Sequence, residues 1–429
     1  MQHPTDLADW LDYIEHLHPS TIELGLERVQ RVYAALDVPK FCPIFIVGGT
    51  NGKGSTCTML ESILRSAGHR VGKYLSPHLI RYNERVRIAG RDADDAELIA
   101  GFEAVNAARG DVQLTYFEFT TLAAWVTFSR AKLDALVLEV GLGGRLDAVN
   151  IFDPDCSIVT SVDIDHTDYL GDTRDKIGWE KAHIFRAGRP AICSDPVPPA
   201  SLVQYAEDIG ASLRLIGRDF GYEGDRQQWL YWGADGRRSG LPYPGLRGAN
   251  QLLNASACLA ALEATHDRLP VGVQHIRSGL LSAELPGRFQ ILPGRPTVIL
   301  DVAHNPHAAA VLKENLSSMG FYAHTYAVVG MLKDKDIAGV FQHLKGRIDR
   351  WFVATLDNPR GASAEEIAEV IRGVDAGGTI ECFTTPHEAY ARATGAAGES
   401  DRILVFGSFY TVADVIPALD AQRSKNTPH

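Results

Sequence analysis

Cysteine is sparse in this chain of 429 residues: there are six, Cys42, Cys57, Cys156, Cys193, Cys258 and Cys382, and no Cys-x-x-Cys pair. That argues against a disulfide framework or a structural zinc site and suits a reduced, cytoplasmic protein. Positive charge is also short. Lys and Arg number 42 against 53 Asp and Glu, a formal net charge of −11, which disfavours a nucleic acid or an anionic membrane as partner. No apolar run approaches bilayer-spanning length. Met1 to Trp10 lacks the basic start and apolar core of a secretory leader. Internal repeats and low-complexity segments are missing too. What remains, 45% hydrophobic and 22% charged residues, is a globular composition, and the length favours two domains over one core.

The chain is organised around one stretch. A strand-like run, Ile44 to Val47, ends in Gly48-Gly49-Thr50-Asn51-Gly52-Lys53-Gly54-Ser55-Thr56, and Met59 to Leu64 reads as the start of a helix. This is the layout of a phosphate-binding loop, with glycines that let backbone N–H groups converge on an anion at a helix N-terminus. Lys53 can reach outer phosphates and a hydroxyl can ligate Mg²⁺. The strict Walker pattern puts Ser or Thr directly after Lys; here Gly54 intervenes. A glycine-rich strand-to-helix turn without nucleotide is the plain alternative.

Periodicity predicts an α/β protein. Helices are expected over Leu7–Leu17 and to about Leu36, then over Ala93–Ala108, from Thr115 through Phe128, and over Arg174–Phe185, Ser201–Ile209 and Asn250–Thr265. Strands are expected at Arg70–Leu75, Asp134–Val140, Cys156–Ser161 and Pro190–Ser194. Arg214 to Tyr243 reads as a small antiparallel sheet. Pro286 and Gly287 break the pattern, giving an ATP-binding parallel-sheet domain over 1–285 and a smaller, doubly wound α/β domain over 286–429. In the latter, strands at Thr297–Leu300, Thr325–Val329, Arg350–Ala354 and Arg402–Phe406 alternate with helices, one following Pro306 and others at Asp336–Leu344, Ala364–Ile371 and Thr411–Leu419.

Polar clusters fall just past strand ends, where open α/β sheets bind ligands. Ser76-Pro77-His78 follows one strand and Asp163-Ile164-Asp165-His166-Thr167-Asp168 another. Glu139 ends a nearly continuous apolar strand, where an unpaired carboxylate is costly to bury. A Mg²⁺ ligand or a salt bridge would each account for it. Asp301 and His304 follow a strand of the second domain and are expected to meet a ligand in the cleft between domains.

These motifs, with Leu138-Glu139-Val140-Gly141-Leu142-Gly143-Gly144-Arg145-Leu146-Asp147, Glu180-Lys181-Ala182, Pro286-Gly287-Arg288 and Asp301-Val302-Ala303-His304-Asn305-Pro306, occur in one order along nearly the whole chain. Together they resemble the folylpolyglutamate synthase family within the Mur ligase superfamily, whose own loop form includes the inserted glycine. Ile22-Glu23-Leu24-Gly25-Leu26-Glu27-Arg28-Val29 and Tyr116-Phe117-Glu118 are similar to the bifunctional branch, which makes dihydrofolate as well as folylpolyglutamates. Glu23 stands where that branch more often has Asp.

The resemblance implies an ATP- and Mg²⁺-dependent, ADP-forming ligase that joins L-glutamate to dihydropteroate and to reduced folates through an acyl phosphate. It implies that Thr50, Asn51, Gly52, Lys53, Gly54 and Ser55 hold ATP phosphates, with Asn254, Arg288 and Asp301 as further ATP contacts and His304 near the γ-phosphate. Ser76 and Glu139 would ligate one Mg²⁺, and Glu139, His166 and Lys181 a second, Lys181 as a CO₂-derived carbamate. The pterin pocket would be Thr21, Ile22, Glu23 and Leu24, Thr115, Tyr116, Phe117 and Glu118, and Leu146, Asp147 and Ala148. The partners would be small molecules and the chain a monomer.

Three other readings stay open. A Mur-type peptidoglycan ligase would carry a UDP-sugar domain before the loop, and fewer than fifty residues precede Gly49. A monofunctional folylpolyglutamate synthase would ignore dihydropteroate. A non-catalytic nucleotide-binding regulator would not need Glu139, His166 and Lys181 together.

Overall fold

In the computed structural model of the chain, the described residues are 4–20, 22–224 and 228–426, with side chains to residue 421. They divide into two compact units. One comprises the residues up to Gly245 together with Gln251–Ala283; the other comprises Leu246–Asn250 and the residues from Glu284 onward.

The first unit opens with α1 (Leu7–Glu15) and α2 (Glu27–Leu36), which bury Trp10, Ile14, Val29 and Val32 along one stripe each. Next come β1 (Ile44–Gly48), α3 (Lys53–Ser66), β2 (Val71–Tyr74), β3 (Val86–Ile88) and β4 (Arg91–Asp92). α4 (Asp95–Arg109) and α5 (Tyr116–Ser129) each start in a capping box, Asp94 with Glu97 and Thr115 with Glu118. β5 (Ala135–Glu139), β6 (Cys156–Val159), α6 (Thr167–Leu170), α7 (Arg174–Ala182), β7 (Pro190–Cys193), α8 (Ala200–Asp208) and β8 (Ser212–Leu215) complete one sheet and its helices. Its order is β4-β3-β2-β5-β1-β6-β7-β8. Pairing is parallel from β2 to β8 and antiparallel at the β3–β4 edge. Every residue of β1 and β5 is buried, as expected of a parallel sheet covered on both faces. β9 (Gly221–Gly224), β10 (Trp229–Gly233) and β11 (Gly236–Leu241) form a separate antiparallel sheet, and α9 (Gln251–Ala264) and α10 (Val273–Ser282) close the unit.

The second unit holds β12 (Gln290–Leu292), β13 (Thr297–Leu300), α11 (Pro306–Ser317), β14 (Thr325–Val329), α12 (Ile337–Leu344), β15 (Arg350–Ala354), α13 (Ala364–Gly373), β16 (Thr379–Phe383), α14 (Pro386–Ala396), β17 (Arg402–Phe406) and α15 (Phe409–Asn426). The sheet order is β12-β13-β17-β14-β15-β16, parallel except for β12. Trp351, Phe341, Val329 and Leu404 centre its core.

Two expectations need correcting. The helix after the phosphate loop begins at Lys53, not Met59. Its first turn is made of small and polar residues, so the apolar period starts a turn later than the helix. Arg214 and Leu215 belong to the large sheet, as β8 paired in parallel with β7; the small sheet starts only at Gly221. The short strands β3, β4, β12 and β16 carry too little apolar period to be read in advance; the helices α10 and α14, which bury Ile276 and Leu280 and Ala389, Tyr390 and Ala393, are further elements absent from the expected set. No helix among the described residues is long and apolar enough to cross a membrane.

Two contacts hold α3 in place. Ile63 packs so closely on α10 that a Cβ on Gly279 would lie 2.4 Å from the Ile63 Cα. On α3's sheet side, Lys73 Nζ meets Glu61 Oε2 at 2.6 Å and the Thr58 hydroxyl at 3.2 Å. Both members of this pair are almost fully buried. Burial pushes the Lys73 ammonium down, and Glu61 opposes that shift. Removing Lys73 leaves the buried Glu61 with only Arg87 Nη1, at 3.7 Å, as counter-ion, at a cost of about 3 kcal/mol. Lys73→Met is therefore expected to lower the urea midpoint strongly, and Lys73→Met with Glu61→Leu to recover most of it, read by tryptophan fluorescence.

Candidate active site

The loop between β1 and α3 is tied to the end of β6. The Thr160 hydroxyl donates to Asn51 O at 2.7 Å and lies 3.2 Å from Gly48 O. Ser161 O accepts from Thr50 N at 2.7 Å, and the Ser161 hydroxyl accepts from Asn51 N at 3.1 Å. The Thr50 hydroxyl donates to Asp163 O at 3.1 Å. Gly49 has φ +145°, and a Cβ there would sit 1.9 Å from Thr160 Oγ1. Gly52, at φ +88°, lies against Asn254, whose Oδ1 would be 2.7 Å from an added Cβ. So Asn254 does back the loop, held by Gln251 at 3.1 Å. Lys53 is the first residue of α3, and its ammonium folds over the loop onto Gly49 O at 3.0 Å and Thr50 O at 3.2 Å. Gly54 and Ser55 are buried in the first turn. Backbone N–H groups at a helix start, with a lysine above them, make an anion cradle.

Beside the cradle, β5 ends at Glu139, in register with Val47 of β1. Its carboxylate is 3% exposed, and Oε2 accepts from the Ser76 backbone N–H at 3.0 Å. That bond brings together two of the residues expected to hold a metal. His166, in the left-handed region at φ +52°, starts α6 and rests its N–H on Asp165 Oδ1 at 2.8 Å. Lys181, on α7, is 3% exposed. Burial, then the charge of Lys53, pushes its ammonium down to about 7, while Asp165, Asp147 and Glu180 pull it back up. Lys53, Lys181, Asp147 and Asp165 therefore share one electrostatic environment.

Among the described residues, no three His, Cys, Asp or Glu side chains gather in metal-holding geometry. The expected donor set is not of that kind: it is one hydroxyl, one carboxylate, one imidazole and one lysine. Glu139 and Ser76 side by side, with a buried lysine poised near neutrality, fit a hard cation that takes few protein ligands and fills its shell with water and phosphate oxygens.

The segments expected to form the pterin pocket are linked. Thr21 lies outside the described residues. Ile22 and Leu24 flank Glu23, whose carboxylate meets the Arg28 guanidinium. Arg28 also donates to Glu118, Nη2 to Oε1 at 3.2 Å and Nε to Oε2 at 3.3 Å. Glu118 closes the capping box on Thr115 N–H at 2.8 Å. Next to it, Phe117 packs on Gly141, where a Cβ would come within 2.6 Å of its ring. Gly141 leads to Leu142, whose N–H reaches Asp147 Oδ2 at 2.8 Å; Oδ1 accepts from Val149 N–H at 2.9 Å. Burial pushes the Asp147 carboxyl up to about 6, against these backbone bonds and Lys53. Leu146 and Ala148 flank it. Tyr116 lies under Arg85, whose guanidinium is 5.5 Å from its ring. Arg85 Nε donates to His78 Nδ1 at 2.8 Å, and burial together with Arg85 pushes His78 down to about 4, so its ring is neutral.

In the second unit, Asp301 follows β13. It accepts from Phe289 N–H at 2.9 Å and Ala303 N–H at 2.7 Å. Burial pushes its carboxyl up to about 6, and the nearby Arg288 pulls it down. Arg288 also lies 5.2 Å over the Phe409 ring. His304 donates from Nδ1 to Val302 O at 2.8 Å. Asn305 caps α11, so the turn after β13 is fixed by short bonds.

Five residues around these groups have roles that the sequence does not assign; Asp165, Arg85 and Arg28 lie in stretches marked as candidate ligand-binding segments, while Thr160 and Ser161 read only as the end of a strand. Thr160 and Ser161 anchor the loop, Asp165 acts on His166 and Lys181, Arg85 holds His78, and Arg28 joins Glu23 to Glu118. A Thr-Ser pair closing a strand was a usable signal for the first two. Arg28 and Glu118 lie 90 positions apart, and nothing local in the chain pairs them.

Two family models match the chain: the Mur ligase middle domain over residues 47–194 and the glutamate ligase domain of Mur ligases over residues 287–409. The chain is 47% identical over 424 residues to the dihydrofolate synthase/folylpolyglutamate synthase of Escherichia coli strain K12, covering 99% of this chain and 98% of that one. It is similar in structure to E. coli FolC in complex with DHPP and ADP, with a TM-score of 0.93 at 47% identity over 98% and 99% of the two chains. A bifunctional folylpolyglutamate synthase/dihydrofolate synthase with Mn, AMPPNP and L-glutamate bound is also similar, with a TM-score of 0.89 at 46% identity over 97% and 98%.

The loop geometry has a direct test. Gly49→Ala forces its Cβ into Thr160 and should weaken ADP binding at least about tenfold by calorimetry. Gly395→Ala, on α14 with open space around it, should leave ADP binding unchanged.

Proposed function

Because the chain belongs to the dihydrofolate synthase/folylpolyglutamate synthase family of Mur-type ligases, we infer that it joins L-glutamate to dihydropteroate, forming dihydrofolate, and to reduced folates, forming folylpolyglutamates, with ATP converted to ADP. The observation that carries this reading is full-length likeness to relatives of that name, which extends through both units. The substrate carboxylate, on the aminobenzoate of dihydropteroate or on the glutamate of a folate, attacks the γ-phosphorus of ATP, giving an acyl phosphate and ADP. The amine of glutamate then attacks the acyl carbon, and phosphate leaves as the amide forms.

This chemistry asks the protein for positioning and charge neutralisation more than for acid–base work. The backbone of Thr50–Ser55 receives the phosphates, and Lys53 swings from its loop carbonyls to their outer oxygens. Asn254 keeps Gly52 in its turn. Arg288 and Asp301 are assigned to ATP contacts and His304 to the neighbourhood of the γ-phosphate. Ile22–Leu24, Thr115–Glu118 and Leu146–Ala148, with Thr21, are assigned to the pterin.

Relatives hold a divalent metal with an ATP analogue. Here it is assigned as two Mg²⁺, one on Ser76 and Glu139, one on Glu139, His166 and Lys181. When bound, such ions neutralise phosphate charge and polarise the transferring group. A lysine ammonium would repel them. The Lys181 amine, whose burial pushes it down to about 7, can in its neutral form attack CO₂: an N–C bond forms, the proton goes to solvent, and an anionic carbamate results. We also assign the chain to the cytoplasm, since its cysteines are free and mostly buried, and treat it as a monomer.

Purified protein with ATP, Mg²⁺ and L-glutamate should release ADP with dihydropteroate and with tetrahydrofolate. Release with tetrahydrofolate alone would remove the dihydrofolate synthase half; release with neither would overturn the reading. Separately, ¹³C-bicarbonate should give a carbamate resonance that Lys181→Met abolishes. Because the amine is protonated below about 7, the signal should fade as pH drops through that value and strengthen above it.

A further inference from the structure

We propose that Arg28 is a positioning residue for the pterin subsite: its guanidinium clamps the Ile22–Leu24 segment to the first turn of α5, so that the two walls of the pocket form as one. This rests on the pterin assignment made above.

Arg28 lies at the start of α2. One side of its fork takes the Glu23 carboxylate, and Nη2 also donates to the Glu23 backbone O at 3.0 Å. The other side is bidentate on Glu118, a carboxylate buried but for 4% of its surface. The interactions with both carboxylates hold the Arg28 charge up, against the desolvation of its partial burial. His18 joins the cluster, with Nε2 at 3.4 Å from Glu23 Oε2. Glu118 fixes the N-terminus of α5, hence the place of Phe117, and Phe117 presses on Gly141 at the start of the loop that carries Asp147. A single planar cation therefore connects three chain segments that are far apart in sequence.

The planar fork is what the arrangement needs. A lysine keeps the charge but is a point donor, and it cannot bridge two carboxylates with parallel N–H bonds. Without the bridge, Glu23 and Glu118 are like charges with no shared counter-ion. The loop through Ile22 then loses its tie to α5, while the phosphate cradle, built from β1, β6 and α3, is untouched.

The test compares wild type, Arg28→Lys and Glu118→Gln, with dihydropteroate and ADP affinities measured by calorimetry and melting temperature measured in parallel. The glutamine keeps an oxygen for the Thr115 N–H and loses the ion pair. Arg28→Lys should weaken dihydropteroate binding about tenfold or more, with ADP affinity and melting temperature close to wild type, and Glu118→Gln should move the same way. Equal loss of both ligands, or a fall in melting temperature that accounts for the loss, would mean the ion pair only holds the fold. Unchanged dihydropteroate binding would also overturn the proposal. Should Arg28→Lys not fold, Arg28→Gln, which alters no residue assigned to the pterin, carries the same comparison. Wild type that binds ADP but not dihydropteroate would instead sink the pterin reading itself, and the proposal with it.

Discussion

The Thr160 hydroxyl, bonded to Asn51 O within 3.2 Å of Gly48 O, is the contact on which the candidate site depends. It presses the strand end of β6 against the turn after β1, leaves no space for a side chain at Gly49, and so fixes where α3 begins. Lys53, Gly54 and Ser55 inherit their positions from it. Because β1 lies between β5 and β6, the same register also sets Glu139 beside the loop. The anion cradle and the carboxylate next to it are thus products of the two pairings of β1, with β6 and with β5, and side chains contribute mainly by filling or capping what the backbone has placed.

Electrostatics then sorts the buried ionisable groups. Two lysines and several carboxylates in one dry region cannot all keep their ordinary charge states. Lys181 responds by becoming easy to deprotonate, and Asp147 by holding its proton more tightly. Lys73 and Glu61, equally dry, solve the same problem by direct pairing. The contrast separates a structural cluster, in which Arg87 adds a second cation to Glu61 at 3.7 Å, from a region left with opposed shifts.

Much of this was legible in the sequence because it is local. The glycine loop, the apolar strands closed by Ser76 and Glu139, and the α/β alternation all lie within short windows whose chemistry constrains their geometry. What was hidden is what depends on distance along the chain or on weak period. The first turn of α3 carries no apolar signal, β16 is a largely exposed strand, and the buried stripe of α14 is mostly alanine, with Tyr390 its one large side chain. Arg214 sits in a parallel strand although its neighbours alternate like a hairpin. Arg28 looks like any helix-start arginine until Glu23 and Glu118 are seen on either side of it.

Gly279 gives α3 an unusual backing. At Ile63, one turn from its C-terminus, α3 has no side-chain layer between its own backbone and that of α10. A displacement of α3 along its axis is therefore opposed at that turn by backbone rather than by soft packing. What yields to a ligand is then the loop and the lysine, the parts light enough to move. In mechanical terms α3 is an anvil, and the ligand's grip is spent on shaping the loop around it rather than on displacing the scaffold.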